Sequence, residues 1–259
     1  MSDDQLKRSK NYWVKRASKV TWQRYNDLEK ENKKLLKFYN QAIDQVEREL
    51  VKLAIKMQGN PTLTNKHDKK RLEKLKLQME KIVVELTNNI QSFGNDQLKK
   101  VIEEQYRDMM VLLGNNDFTG PDEDLIKMMV DNPWSGANFG DRLWRNKSLL
   151  EFNLNEVLTR GFIQGKTVTE IAEELSLRMS KNFDVCLRLV RTERMHYLNE
   201  SSKKAYQDAG VEKLQYWAAE DERTCEVCGS YHEEIMAYDE IPILPLHPNC
   251  RCTYIPIIE

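Results

Sequence analysis

Residues that interrupt secondary structure are scarce in this sequence. It holds 10 glycines and 7 prolines in 259 residues, and 31% of its residues are charged, a polar and helix-favouring mixture. No apolar run approaches the roughly eighteen residues that a membrane-spanning helix needs, which excludes that class. There is no phosphate-binding glycine loop, no evident nucleophile and base pair, and no H-E-x-x-H pattern, so these usual signatures of hydrolytic catalysis are missing. The chain opens M-S-D-D-Q-L-K without an apolar signal segment, and a soluble intracellular protein with reduced thiols is expected from that. Cysteine is rare, with five residues, and histidine rarer, with four.

Four of the five cysteines fall in the stretch Glu220 to Glu259. Cys225 and Cys228 form a thiol pair, and after eighteen intervening residues come His247, Cys250 and Cys252. This is the layout in which two short turns present soft ligands to one tetrahedral Zn2+. Five candidates compete for four positions. In extended backbone, residues i and i+2 face the same side, so Cys250 and Cys252 could join the first pair in a four-thiolate site with His247 outside it. The other arrangement uses His247 with Cys250 and leaves Cys252 to pack; spacing alone keeps both open. With all four positions filled by protein, a structural role is expected.

The net charge of -1 hides an asymmetry. Residues 1–82 carry 21 Lys and Arg against 11 Asp and Glu, and the remainder 19 against 30. Such a basic arm on an acidic body suits nucleic acid or an acidic protein surface, although a solvated helical hairpin explains the same charges. Within the arm, Lys7, Arg8, Lys10, Lys15, Arg16, Lys19 and Arg24 interleave with Tyr12, Trp13, Trp22 and Tyr25. Cations among aromatics can grip a phosphate backbone and stack on bases, or anchor the segment on another protein.

Apolar residues at steps of three and four predict a long helix over residues 4–58, broken by Gly59-Asn60-Pro61. A second helix carries Leu72, Leu75, Met79, Ile82, Leu86, Ile90 and Phe93 and is expected to end near Gly94, making an antiparallel hairpin. A third is expected from Asp96 to Leu113. The irregular residues 115–140 read as a linker with a short helix over Asp122 to Val130. Helices follow over Asp141 to Phe162, over Val168 to Met179 behind a Thr167–Glu170 capping box, and over about Phe183 to Asp208. A DNA-reading helix-turn-helix is rejected because Glu170, Glu173 and Glu174 would face phosphates. Cys186 reads as a core residue. Arg191 and Glu193 are expected to dock their helix onto the cysteine segment by charge-assisted hydrogen bonds, rather than to form an acid-base cluster with His196. After Gly210 the period changes to two, which predicts strands over Lys213 to Ala219, Ala237 to Leu244 and Arg251 to Ile257. The expected fold is mainly α with a small C-terminal antiparallel β element. Residues 1–114 form a basic helical region with a long hairpin, and residues 141–259 an α+β domain with a zinc-type Cys/His module.

These residues also carry a resemblance. R-T-E at Arg191 to Glu193, the helix ending at Gly210, W-A-A-E-D-E-R-T-C-E-V-C from Trp217 and L-H-P-N-C-R-C from Leu246 resemble, in this order, the phage minor head protein family typified by the F protein of phage Mu. The resemblance covers about Asn155 to Thr253. It implies a minor capsid or head morphogenesis component, present in a few copies, found in the virion head and in the host cytoplasm during assembly. Its implied partner is the portal protein, with double-stranded DNA, scaffold and major capsid protein as further candidates and no membrane. For such a component the aromatic arm is expected to anchor on protein. The alternative is a metal-dependent nuclease or toxin-like enzyme using Asp221, Glu222, His232 and Glu233 beside the cysteines.

Overall fold

The computed structural model describes residues 12–56, 66–219, 221–222 and 224–258. A π-helical turn, Val14–Ser18, leads into α1 (Lys19–Glu31), and α2 (Lys33–Lys56) follows after a turn at Asn32. Then come α3 (Lys66–Leu112), α4 (Glu123–Asp131), α5 (Phe139–Ile163) and α6 (Val168–Asp208), and finally β1 (Lys213–Trp217), a short α7 (Glu226–Ser230), β2 (Ile235–Ala237) and β3 (Thr253–Ile257). The protein is thus mainly helical with a small antiparallel sheet near the C-terminus. Among the described residues no helix is long and apolar enough to cross a membrane.

Two expected helix boundaries are absent. Gly94 lies inside α3, which runs without a break where two helices were expected. A Cβ at Gly94 would sit 2.4 Å from the buried ring of Phe139, so the glycine serves a close approach and does not end the helix. Likewise α6 is continuous through residues 180–182, where Ile171, Leu175, Met179, Cys186 and Val190 keep their three-four rhythm. Conversely, the single helix expected over residues 4–58 is divided at Asn32; residues 4–11, 57–58 and the Gly59-Asn60-Pro61 break lie outside the described residues. The ends of α3 and α6 are as the glycines suggest. Gly114 and Gly210 take φ of 77° and 78°, and Val211 N returns to Tyr206 O at 2.9 Å, the bond that closes a left-handed helix stop. The Thr167–Glu170 box is present, with Thr167 N donating to Glu170 Oε2 at 2.7 Å and Glu170 N to Thr167 Oγ1 at 3.2 Å.

The chain divides into two compact units made of discontinuous stretches: residues 32–94 with 135–187, and residues 1–31 with 95–134 and 188–259. Among the described residues the first of these units is mainly helical. Along α2, Leu35, Tyr39, Ala42, Val46, Leu50 and Leu53 are buried at steps of three and four, facing a core that includes Leu75, Met79, Leu154 and Leu158. Gly161 admits Ile171, whose Cγ1 would lie 2.7 Å from an added Cβ.

The second unit holds the sheet, ordered β2-β1-β3 and antiparallel throughout. The central strand pairs Lys213 with Ile257 and Trp217 with Thr253 on one side, and Lys213 with Ala237 and Gln215 with Ile235 on the other. Leu214, Gln215 and Tyr216 are all buried, as befits a strand flanked on both edges, and Gln215 Nε2 donates to Glu233 O at 2.9 Å. Pro256 is confined to an edge strand, where its missing N–H costs nothing. The strand expected over Ala237 to Leu244 is instead Ile235–Ala237, and the residues after it form turns. Residues 115–134, expected as part of a linker, are packed: Ile126 and Val130 are buried, and Tyr197 OH donates to Val130 O at 3.2 Å.

Candidate metal centre

The cysteine segment folds as two tight turns. In the first, Cys225 is the N-cap of α7, and its sulfur accepts the N–H of Cys228 at 3.4 Å. In the second, Cys250 N donates to His247 O at 3.1 Å across Pro248 and Asn249, and Asn249 takes φ 61°. Proline in second place and a left-handed residue in third make this a type II pattern, with asparagine tolerating the left-handed region by its short polar side chain. His247 Nδ1 lies 2.9 Å from Pro248 O. A carbonyl only accepts, so the ring proton is on Nδ1 and Nε2 keeps its lone pair. That Nε2 is 3.3 Å from Cys228 Sγ, and Cys228 Sγ is 3.7 Å from Cys250 Sγ.

The five side chains therefore meet in two overlapping groups, Cys225-Cys228-His247 and Cys228-Cys250-Cys252, and within each group the ligand atoms lie within 4.8 Å of one another. These groups could hold a metal ion. All five cysteines of the chain are free thiols, and Cys186 is a buried core residue as expected. Burial pushes the Cys228 thiol up to about 12. Cys250 is pushed up by donating to Cys252 and by burial, while Cys252, receiving that bond, is held down to about 5. The Tyr216 hydroxyl beside Cys228 and Cys252 is raised by its own burial. A buried cluster of thiols beside an imidazole suits a cation, which would offset the cost of deprotonating them.

Helix α6 supports the cluster, through residues different from those expected. Asn199 Nδ2 donates to Cys252 O at 3.0 Å, His196 Nδ1 to Leu244 O at 2.8 Å, and Asn249 N to Thr192 Oγ1 at 3.1 Å. Thr192, His196 and Asn199 stand four and three apart, one face of a helix, and that polar stripe was a signal available in the sequence. Arg191 is instead directed at Glu29 of α1, with Nε 2.8 and 3.0 Å from the two carboxylate oxygens. Glu193, fully buried, accepts from Trp134 Nε1 at 2.9 Å. Their bonds dock α6 onto α1 and onto the segment after α4, not onto the cysteines. Arg194, which the sequence reading missed, is fully buried; its Nη1 donates to Leu28 O at 2.8 Å, and burial lowers it to about 10 against the pull of Glu29 and Glu31.

Much of the basic and aromatic set is used within this unit. Trp22 Nε1 donates to Arg251 O at 3.0 Å, beside the ligands. Arg24 pairs with Glu104 and Asp108, and Trp13 is half-buried against the core that contains Tyr216 and the cysteines. Tyr12, Lys15, Arg16 and Lys19 are exposed, with the Arg16 guanidinium 4.2 Å over the Tyr12 ring. Lys7, Arg8 and Lys10 lie outside the described residues. Of the groups named for a nuclease, Asp221 is paired with Arg251, and His232 Nδ1 accepts from Ala218 N at 3.2 Å with its ring 4.5 Å from that of Trp217.

The site is thus a cluster of soft ligand candidates beside a three-stranded sheet on a helical scaffold. In comparison with known families, residues 153–255 match the model of the family described as Phage Mu protein F like protein. All five ligand candidates fall inside the match. Among curated proteins, the NAD(+)--arginine ADP-ribosyltransferase EFV of Enterococcus faecalis (strain ATCC 700802 / V583) is 24% identical over 154 residues, covering 52% of this chain. The chain spans 32% of the length of that relative. No solved structure matches.

Proposed function

We propose that this chain is a minor head protein of a tailed phage or prophage, recruited to the assembling head at the portal, with its C-terminal module closed by one structural zinc ion. The observation that carries the reading is the family match over residues 153–255, which contains the whole ligand cluster. Two groups of cysteine and histidine candidates share Cys228, and a tetrahedral zinc with all four positions filled from these five would leave no position for a substrate. Soft sulfur and imidazole donors favour zinc over calcium or magnesium. The ion would tie the turn before β2 to the turn before β3, and so close the sheet.

Recruitment to the portal would use the exposed Tyr12, Lys15 and Arg16, with double-stranded DNA as a second target of the same charges. Co-expression with the portal protein tests the proposal. The chain should co-purify with portal rings and appear in purified heads in a few copies. Absence from heads, together with no portal binding, would remove the proposal. A second reading comes from the relative's printed activity, transfer of ADP-ribose from NAD(+) to arginine. Incubation with labelled NAD(+) and an arginine-rich acceptor distinguishes the two, since a head protein leaves the acceptor unlabelled.

A further inference from the structure

We infer that the Tyr216 hydroxyl is a positioning group of the metal centre, which donates a hydrogen bond to the ligand sulfur of Cys228. This rests on the reading of the cysteine segment as a metal centre, and it holds whichever four of the five candidates bind, provided Cys228 is among them. Tyr216 is the fourth residue of β1, the central strand. Its backbone is tied to the turn that follows α7, with Tyr216 N donating to Glu234 O and Glu233 N to Tyr216 O, both at 2.9 Å. Its ring centre lies 5.5 Å from that of Tyr231, the C-cap of α7. Because Cys228 belongs to α7, the strand that carries the hydroxyl and the helix that carries the sulfur are held together within a few residues.

The hydroxyl sets this residue apart. Tyr216 is fully buried, and its oxygen has no hydrogen-bond partner among the described residues. Other buried tyrosines reach an oxygen: Tyr254 OH donates to Pro242 O at 2.8 Å and accepts from Leu244 N at 2.9 Å, Tyr106 OH donates to Asp208 Oδ2 at 2.8 Å, and Tyr197 OH to Val130 O at 3.2 Å. A buried hydroxyl without an acceptor is costly, and native structures seldom keep one without a reason. Its surroundings supply the reason. The Cys228 and Cys252 sulfurs stand beside it, within the same buried cluster. A neutral thiol is a weak acceptor, whereas an ionised group accepts a shorter and stronger hydrogen bond. The donor is therefore matched to sulfur in the deprotonated form that binds metal. Cys228 belongs to both ligand groups, so the hydroxyl faces a ligand whichever group supplies the other positions. Hydrogen bonds of this kind orient a ligand and tune its bond to the metal.

Tyr216→Phe in the full chain removes one oxygen and keeps the ring. The variant should still take up one zinc per chain, with competitive affinity weakened about 10–100-fold, the scale for groups that orient ligands. Cobalt(II) in place of zinc gives a readout that packing alone does not move. Losing the hydrogen bond raises the energy of the sulfur lone pair, so the sulfur-to-cobalt charge-transfer band should shift to longer wavelength. Tyr254→Phe is the comparison: it removes a buried hydroxyl bonded to Pro242 and Leu244, and should lower the melting temperature while leaving the band in place. Unchanged zinc affinity and band in Tyr216→Phe would overturn the inference, as would an equal band shift in Tyr254→Phe. Complete loss of metal from Tyr216→Phe would also overturn it, since the hydroxyl would then serve the fold and not the orientation of a ligand. Unsubstituted chain that takes up neither metal would overturn the metal centre itself, a separate outcome.

Discussion

In the helical unit, residues 32–94 and 135–187, side chains such as Leu50, Val157 and Leu175 are buried along stripes, and the backbone groups are satisfied inside the helices themselves. The sheet-bearing unit is built differently. Its strands are three to five residues long, and buried polar groups join distant parts of the chain: Trp22 to Arg251, His196 to Leu244, Asn199 to Cys252, and Gln105 Nε2 to Thr21 and Ser202 at 3.0 and 2.9 Å. Three strands this short bury little apolar surface. Where stripes are long, the core is built from helix faces; in the sheet-bearing unit an apolar core that includes Met109, Tyr206, Leu214 and Ile255 is joined by directed polar bonds between distant parts of the chain.

That contrast predicts where each unit breaks. Cys228 is shared by both ligand groups, so Cys228→Ser should destabilise the sheet-bearing unit by more than about 4 kcal/mol, the range of metal-site loss, read as an early transition in a thermal melt. An unchanged melt would remove the distinction between the units. In the helical unit, Leu50 is 1% exposed, and Leu50→Ala should cost about 2–5 kcal/mol while leaving bound metal per chain unchanged. Gly94→Ala sharpens the same point. Alanine normally gains about 1 kcal/mol over glycine inside a helix, but here its Cβ would meet the Phe139 ring, and overpacking of about 1–3 kcal/mol should reverse the sign. A raised melting temperature would contradict the close approach. The smallest effect is expected for Trp22→Phe, which keeps the ring packing and loses the bond to Arg251 O, about 1 kcal/mol by denaturant titration.

Local chemistry was legible in the sequence, and distant contact was not. The Cys225–Cys228 and His247–Cys250 turns could be read because a ligand pair and its turn fit within four residues, and the Thr167–Glu170 box for the same reason. The stops at Gly114 and Gly210 followed from the one residue that enters the left-handed region freely. Gly94 looked the same in sequence, and only the position of Phe139 shows that it serves packing instead. Trp22 and Arg24 read as an outward-facing anchor because their partners, Arg251, Glu104 and Asp108, lie 80 or more residues away. Arg191 and Glu193 were expected to dock onto the cysteine segment, and Glu29 and Trp134 as their partners could not be inferred from spacing.

The central claim is that directed ligands help hold the small sheet. Elemental analysis of full-length chain purified without chelator, followed by melting before and after treatment with a strong chelator, tests this most directly. One zinc per chain, and a transition of the sheet-bearing unit that falls when zinc is removed, is the predicted result. Chain free of metal that melts at the same temperature with and without chelator would contradict it.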